Sequence, residues 1–444
     1  GIPLDPSWCI IWWAGLCMLS AVLRNARHIS RAPHRPPCIH RRLVLRSAEC
    51  SNLDFGSTWL ASQRGTQGPW LEAAQPPAER FIHQWDAQSA TAMSLEDISS
   101  LGLSHPHRLD HAKFLHRELS ARMAHAAKEI LLLPNDLFEH PSIQCIYQRY
   151  SSSIMDFEDF PCPESEAGHA AFMQLLSRTF ALHTEDIADL AWGLSSWKGK
   201  LTESSASVLP TVDACVRNFC AWRIGLRLLM KHYLDSQSLS KPSYSGAFEL
   251  DCSPTQVAWL AGTTSTRLCK ASLGQAPPVL VDEKAPGAGH FTYVPEHLKY
   301  VLTEVLKNAC RAVVERHGHG FDDELPPVRC SIERGAEDVT WSISDEGAGI
   351  AHGRARDIWK FAYTTSRTSP WAAGGEEGAA VPARAPARRC RALAGFGVGL
   401  PLGRLYAGYF GGTLGLDSVP GIGTTAKLTL RHTGQRLERL PFAL

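Results

Sequence analysis

Across residues 295–316, apolar and polar positions segregate at the 100° per residue of an α-helix. Val301, Leu302, Val305, Leu306, Ala309, Ala312 and Val313 fall in one sector, which predicts a core face. Tyr300, Glu304, Lys307, Asn308 and Arg311 gather on the other side, with Glu304 and Asn308 one turn apart. The same spacing recurs upstream. Phe114, Leu115, Leu119, Met123, Ile130 and Leu131 predict a helix that begins near Leu109 and stops before Pro134. Residues 142–155, 167–183, 184–197 and 212–233 read as further helices. Four or so such helices with short connections make a bundle. After residue 277 the period changes. Val328, Cys330 and Ile332 alternate, as do Val339, Trp341 and Ile343, which predicts two half-buried antiparallel neighbours. Leu414 and Leu416 open a third strand, residues 420–423 turn it, and Ala426, Leu428 and Leu430 alternate on the return. The fold class is therefore an N-terminal helical bundle followed by an α/β domain.

Length and composition bound this picture. A chain of 444 residues exceeds one ordinary core, and 44% apolar with 20% charged residues fits a soluble globular protein. A formal net charge of +1 points to no nucleic-acid partner. The 13 cysteines contain no C-x-x-C pair, so they read as reduced intracellular thiols rather than a zinc site. The sequence opens on Gly1 without a Met, so its natural start is expected to lie elsewhere. Residues 8–23 form an apolar run too short for a stable membrane span. Residues 6–48 lack acids but carry Arg24, Arg27, Arg31, Arg35, Arg41, Arg42 and Arg46, the composition of an organelle transit peptide. Untranslated leader sequence is the alternative. The expected organisation is a targeting presequence over 1–50 and a linker or disordered stretch over 51–105. A bundle over 106–275, an α/β domain over 280–435 and a tail over 436–444 follow. Residues 368–394, rich in Gly, Ala, Pro and Arg without a period, read as a lid or a disordered loop. His125 reads as a packed histidine rather than a phosphoacceptor.

Candidate chemistry sits in the second half. A carboxylate beside a carboxamide, Glu304 and Asn308, can take a proton or hold a hard cation; a solvated helix face is the plain alternative. Asp345-x-Gly347-x-Gly349 ends a strand. Its glycines admit close backbone approach, and its carboxylate can accept from an exocyclic amine. Gly395-Phe396-Gly397-Val398-Gly399-Leu400 opens a helix whose free N–H groups suit phosphate. A dinucleotide fingerprint fails there, because no strand directly precedes the glycines and no acid follows at the required distance. Gly423-Thr424 puts a hydroxyl beside a glycine turn. Each string alone also makes ordinary turns.

Their order carries more than any one of them. Over 295–431 it resembles the Bergerat-type ATP fold of the GHKL superfamily: gyrase B, heat-shock chaperone ATPases, mismatch-repair ATPases and sensor histidine kinases. That resemblance implies a GHKL α/β sandwich domain that binds ATP. It would place Asn308 on Mg²⁺, Asp345 on adenine with Thr424 in support, and Gly395 to Gly399 over the phosphates. The string PEHLKYVLTEVLKNACRA (295–312), the run from Gly395 to Thr424, AKFLHRELSARMAH (112–125) and RIGLRLLMKHY (223–233) are also similar to a narrower family. They resemble the mitochondrial protein kinases of the 2-oxo acid dehydrogenase complexes, over 109–432.

The narrower resemblance implies an ATP-dependent protein-serine kinase in the mitochondrial matrix, with Glu304 as catalytic base. It adds Lys307, Arg311, Gly347, Gly349, Thr364, Thr365, Ser366, Leu400 and Gly423 to the nucleotide site, and K⁺ beside Mg²⁺. The acceptor would be a serine on the decarboxylase component, whose phosphorylation inactivates the complex. The bundle would dock the lipoyl domain of the acyltransferase core. A homodimer is implied, with no nucleic acid and no stable membrane span. Tyr300, Ile350-Ala351-His352, His125, Leu430-Arg431-His432 and a tail without an Asp-Trp pair favour the branched-chain complex. The run from Arg404 to Phe410 leans toward the pyruvate complex. Residues 369–394 match neither. A sensor histidine kinase and a non-catalytic ATP switch are the competing classes.

Overall fold

The apolar periodicity of the first half becomes packed helices. The computed structural model describes residues 77–101, 107–199, 207–237, 243–285, 291–318, 324–361, 397–431, 434 and 436–441. The presequence reading over 1–50 lies outside them. Pro77–Asp86 (α1) and Leu95–Ser100 (α2) precede Arg108–Leu131 (α3), Asn135–Phe138 (α4), Pro141–Glu158 (α5), Glu166–Leu182 (α6), Asp186–Lys198 (α7) and Leu209–Ser236 (α8). Local chemistry sets several starts. Ser94 and Asp97 form a capping box on α2, Pro141 occupies the first turn of α5, and the Ser165 hydroxyl caps α6. Helices α3, α5, α6 and α8 share a core in which Leu115, Leu119, Phe157, Phe172 and Phe219 are fully buried. His125 is packed as expected: its ring stacks on Trp222 with centroids 4.6 Å apart, and its nitrogens meet Asp86 and the Gln88 carbonyl.

The linker expected over 51–105 is corrected between 77 and 101. Helix α1 packs against α3 and α5, burying Ile82, and α2 buries Ile98. Helices this short are unstable alone and form because the bundle covers them, so their own sequence shows little period.

The second half builds the sheet. Tyr244–Ser245 (β1) and Phe248–Glu249 (β2) form a small hairpin. Next come Pro254–Leu273 (α9), Val279–Ala285 (β3), Pro295–His317 (α10), Val328–Arg334 (β4), Asp338–Asp345 (β5), Gly399–Tyr409 (α11), Thr413–Val419 (β6) and Gly423–Arg431 (β7). The strand order is β3-β4-β5-β7-β6, parallel between β3 and β4 and antiparallel elsewhere. Helix α10 lies between α9 and α11, and all three contact the sheet. Val328, Cys330, Ile332, Val339, Trp341 and Ile343, the alternating residues read from sequence, are buried. The domain boundary expected between 275 and 280 is also corrected. Helix α9 packs along α10 and β3, so the helical layer of the sheet domain begins at Pro254. Thr263, Thr264, Ser265 and Thr266 interrupt the apolar pattern of α9 and hid it.

Residues 436–441 are not a loose tail. Glu438 is buried and accepts from Arg122 Nη2 at 2.6 Å, Arg122 Nη1 at 2.9 Å, the Tyr409 hydroxyl at 2.8 Å and the Met93 N–H at 3.1 Å. Arg122 also donates to Glu118 at 2.7 Å and to the Thr91 carbonyl at 2.8 Å. The N-terminal segment, bundle helix α3, sheet-domain helix α11 and the last described residues thus meet at one ion cluster. Gly225 of α8 leaves room for it, because a Cβ there would overlap the Tyr409 hydroxyl and the guanidinium. Removing one partner of a buried pair strands the other charge. Arg122→Ala is therefore expected to lower unfolding free energy by about 3–5 kcal/mol. Chemical denaturation checks this, and a midpoint equal to that of the unaltered protein would refute it.

Candidate nucleotide site

Helix α10 supplies one wall. Its apolar face packs as predicted, but its other face is not solvated throughout, for Glu304 is buried with 6% of its surface exposed. The carboxylate accepts from Lys307 Nζ at 2.7 Å and lies against Gly399, where a Cβ would overlap Glu304 Oε2. A glycine at this position lets the first turn of α11 close over the carboxylate. The first backbone bond of α11 runs from Leu402 N–H to the Val398 carbonyl, and Pro401 has no N–H. Among the described residues the N–H groups of Gly399 and Leu400 have no backbone partner, as is usual at a helix start, and the helix dipole adds to their pull on an anion. Gly397, just before the helix, has φ 72°, which a glycine adopts without strain.

Strand β5 supplies the opposite wall and delivers Asp345 at its end. Asp345 Oδ1 accepts from the Gly347 N–H at 2.8 Å. Burial raises the Asp345 pKa, and backbone donation from Gly347 and Thr424 offsets only part of that rise. Asp345 pairs with Thr424 across the β5–β7 ladder. Gly423 admits no Cβ, because one would strike the Asp345 carbonyl. Gly347 packs on Ala312 of α10, and Gly349, with φ 69°, sits against the Val419 carbonyl. Both glycines are therefore spent on close packing.

Between these walls lies a cavity of about 300 Å³. Glu304, Lys307, Asn308, Arg311, Asp345, Gly349, Gly397, Gly399, Leu400 and Thr424 all line it, joined by apolar Ile343, Ile350, Leu416 and Ala426. A mostly apolar slot with a few convergent polar groups is the usual form of a small-molecule site. Of the other expected residues, Gly347 and Gly423 support Asp345 from behind, and Val398 is buried. Thr364, Thr365, Ser366, Gly395, Phe396 and the lid at 369–394 lie outside the described residues. Lys307 pairs with Glu304, and Arg311 lies 3.5 Å from Glu315.

Sequence reading missed two contributors. Ser418 accepts from the Ile350 N–H at 2.8 Å and lies 2.8 Å from the Thr424 hydroxyl, tying the Asp345 loop to the final hairpin. Its place on an alternating strand could have signalled an inward polar residue. Arg354 also lines the cavity, and nothing local marks it. Among the described residues no cluster of three His, Cys, Asp or Glu is placed to hold a metal, and no helix is long and apolar enough to cross a membrane.

A mixed sheet under three helices, with the cavity between α10, the β5 end and a glycine-led helix, defines an ATP-binding domain of the GHKL class. Residues 293–434 match the model of the histidine kinase-, DNA gyrase B- and HSP90-like ATPases, and residues 92–249 that of the mitochondrial branched-chain alpha-ketoacid dehydrogenase kinase. The mitochondrial pyruvate dehydrogenase (acetyl-transferring) kinase of Arabidopsis thaliana is 32% identical over 364 residues, 81% of this chain and 95% of that protein. Isozyme 4 of Mus musculus is 30% identical over 372 residues, 82% of this chain and 86% of its own length. Isozyme 1 of Rattus norvegicus is 29% identical over 398 residues, covering 86% of each. The chain belongs to the mitochondrial 2-oxo acid dehydrogenase kinase family. It is an ATP-dependent protein kinase.

Proposed function

We propose that this kinase transfers the γ-phosphoryl group of ATP to a serine on the decarboxylase component of a 2-oxo acid dehydrogenase complex, in mitochondria, and thereby inactivates the complex. The observation that carries the reading is that Glu304, Asn308, Asp345, Thr424 and the glycine-led start of α11 line one cavity. Asp345 accepts from the exocyclic amine of adenine, and Ile343, Ile350, Leu416 and Ala426 enclose the ring. Phosphate oxygens take the N–H groups around Gly397 to Gly399. Lys307 steadies Glu304, and Arg311 stands by the phosphates. Glu304 then accepts or orients the proton of the incoming serine hydroxyl.

Mg²⁺ fits the residues present. It needs only one or two protein oxygens beside water and phosphate, and the Asn308 carboxamide offers one. When bound it neutralises phosphate charge. The bundle, α3 to α8, serves as the docking body for the lipoyl-bearing acyltransferase core, and a homodimer belongs to the same reading.

Target choice is the finer part of the proposal. Tyr300, one turn before Glu304, is the residue on which a branched-chain preference would rest. Its ring lies 5.0 Å from that of Tyr406, and burial foremost, with Glu304 next, holds its pKa well above the usual. It therefore stays a neutral hydroxyl beside Glu304, unable to act as a titrating base as histidine could. The full-length relatives are named for pyruvate dehydrogenase, and they lend no support to the branched-chain preference. We take the pyruvate component as the target. With both decarboxylase components offered on their own lipoyl-bearing cores and enzyme limiting, labelled phosphate is expected on serines of the pyruvate component first. Preferential labelling of the branched-chain component would reverse the choice of target. Labelling of neither would overturn the choice of a decarboxylase component as the acceptor.

A further inference from the structure

Arg316 stands in the last turn of α10, past Glu304 and Asn308 on that helix. Its Nη1 donates to three main-chain carbonyls: Glu346 at 3.1 Å, Gly347 at 2.8 Å and Ile422 at 2.9 Å. The first two belong to the loop that leaves Asp345. The third belongs to the turn that leads into Gly423 and Thr424. We infer that Arg316 is a positioning residue for the base end of the nucleotide site, holding the Asp345 loop and the Thr424 hairpin to the helix that carries Glu304 and Asn308. This rests on the reading of Asp345 as the residue that contacts adenine.

The surrounding bonds show why one side chain matters here. The loop and the hairpin are tied to each other twice. Gly421 N–H donates to the Ala348 carbonyl at 2.8 Å and Ile350 N–H to the Ser418 hydroxyl at 2.8 Å, while Ser418 meets Thr424 within the hairpin at 2.8 Å. Together they form one hydrogen-bonded unit. The helix holds that unit through Arg316 and two further contacts. Gly347 packs on Ala312, and His317 Nε2 donates to the Glu346 carbonyl at 2.8 Å. Of these side-chain bonds from α10, the Arg316 bond to the Ile422 carbonyl is the one that reaches the hairpin itself.

A nucleotide in this cavity touches α10 near Asn308 with its phosphates and β5 with its base. Asn308 and Arg316 are eight residues apart, about 12 Å along a helix. Sliding the loop–hairpin unit against α10 changes the distance between the base contact and the phosphate contacts. A fixed ligand cannot satisfy both after a slip of about 1 Å, a misplacement that can cost on the order of 100-fold in positioned chemistry. Arginine suits the task because its planar fork offers five donors, whereas a lysine presents one point charge.

The test uses the purified full chain. Calorimetry with Mg-ATP and with Mg-GTP gives two affinities and their ratio, and a thermal melt gives stability. Arg316→Ala is expected to weaken ATP binding about 10-fold, the loss of one good hydrogen-bonded contact. It is also expected to shrink the preference for ATP over GTP by a similar factor, since GTP never uses the Asp345 contact fully. Turnover at saturating ATP should change far less than KM. Arg316→Lys should fall between. If the alanine variant does not fold, Arg316→Gln, with a single amide donor group, carries the same measurement. A merely structural role would lower the melting temperature and leave the ATP-to-GTP ratio where it was; that result, or equal loss of both nucleotides, overturns the inference. An unaltered chain that binds no ATP overturns the functional reading instead, and the inference with it.

Discussion

Glu304→Gln is expected to leave ATP affinity close to that of the unaltered protein while phosphoryl transfer to a decarboxylase component falls at least ~100-fold, the scale of a lost general base. Glutamine keeps the volume that Gly399 has been cleared to accept. It keeps an oxygen that Lys307 Nζ can reach, but it has no negative charge with which to draw a proton from the acceptor hydroxyl. The loss should appear in turnover, since an interaction made only in the transition state leaves ground-state binding alone. Asn308→Ala should behave in the opposite manner, weakening magnesium-dependent ATP binding because its carboxamide oxygen is the group proposed to meet the cation. Calorimetry for binding and labelled-phosphate transfer for turnover separate the two. A Glu304→Gln enzyme with ordinary turnover would make Glu304 a structural residue, held in place by Lys307 and the start of α11.

Asp345→Ala is expected to abolish measurable ATP binding without lowering the melting temperature at pH 7. Binding goes because, on the proposed reading, the carboxylate accepts from adenine, and apart from Thr424 the lining beside it, Ile343, Ile350, Leu416 and Ala426, is apolar. Stability stays because burial raises the Asp345 pKa. A carboxyl whose pKa is higher folded than unfolded binds its proton more tightly in the folded state. Its contribution to stability is present at low pH and is lost as pH rises through the folded value, so the ionised form at pH 7 is a net cost. The same shift predicts that ATP affinity weakens on acidification at a higher pH than an ordinary aspartate would give, since protonation removes the acceptor. Unchanged ATP affinity in Asp345→Ala would overturn its role. A large fall in melting temperature would show that its bonds to Gly347 and Thr424 stabilise the fold more than its burial costs.

What depends on neighbours a few residues apart is readable from the order of residues alone. Helix α10 was legible because Val301, Leu302, Val305 and Leu306 recur at its period, and β4, β5 and β7 because their apolar residues alternate. The candidate site was legible as an ordered set of short motifs. Each motif needs a residue type at a fixed local spacing, and the order fits one chain path. Which far-apart groups meet follows from long-range packing. Glu304 reads as one of several polar residues on a helix face until Gly399 of α11 covers it. Glu438 reads as a charge in a tail until Arg122, 316 residues earlier, encloses it. Arg316 reads as an ordinary basic residue in the last turn of a helix until the Asp345 loop and the final hairpin arrive beside it. Helices α1 and α9 were hidden for the same reason, their stability resting on the surfaces that cover them. Periodicity records which side of an element is apolar; the choice of covering surface is made by long-range packing, and it turns exposed-looking charges into buried ones that must find partners.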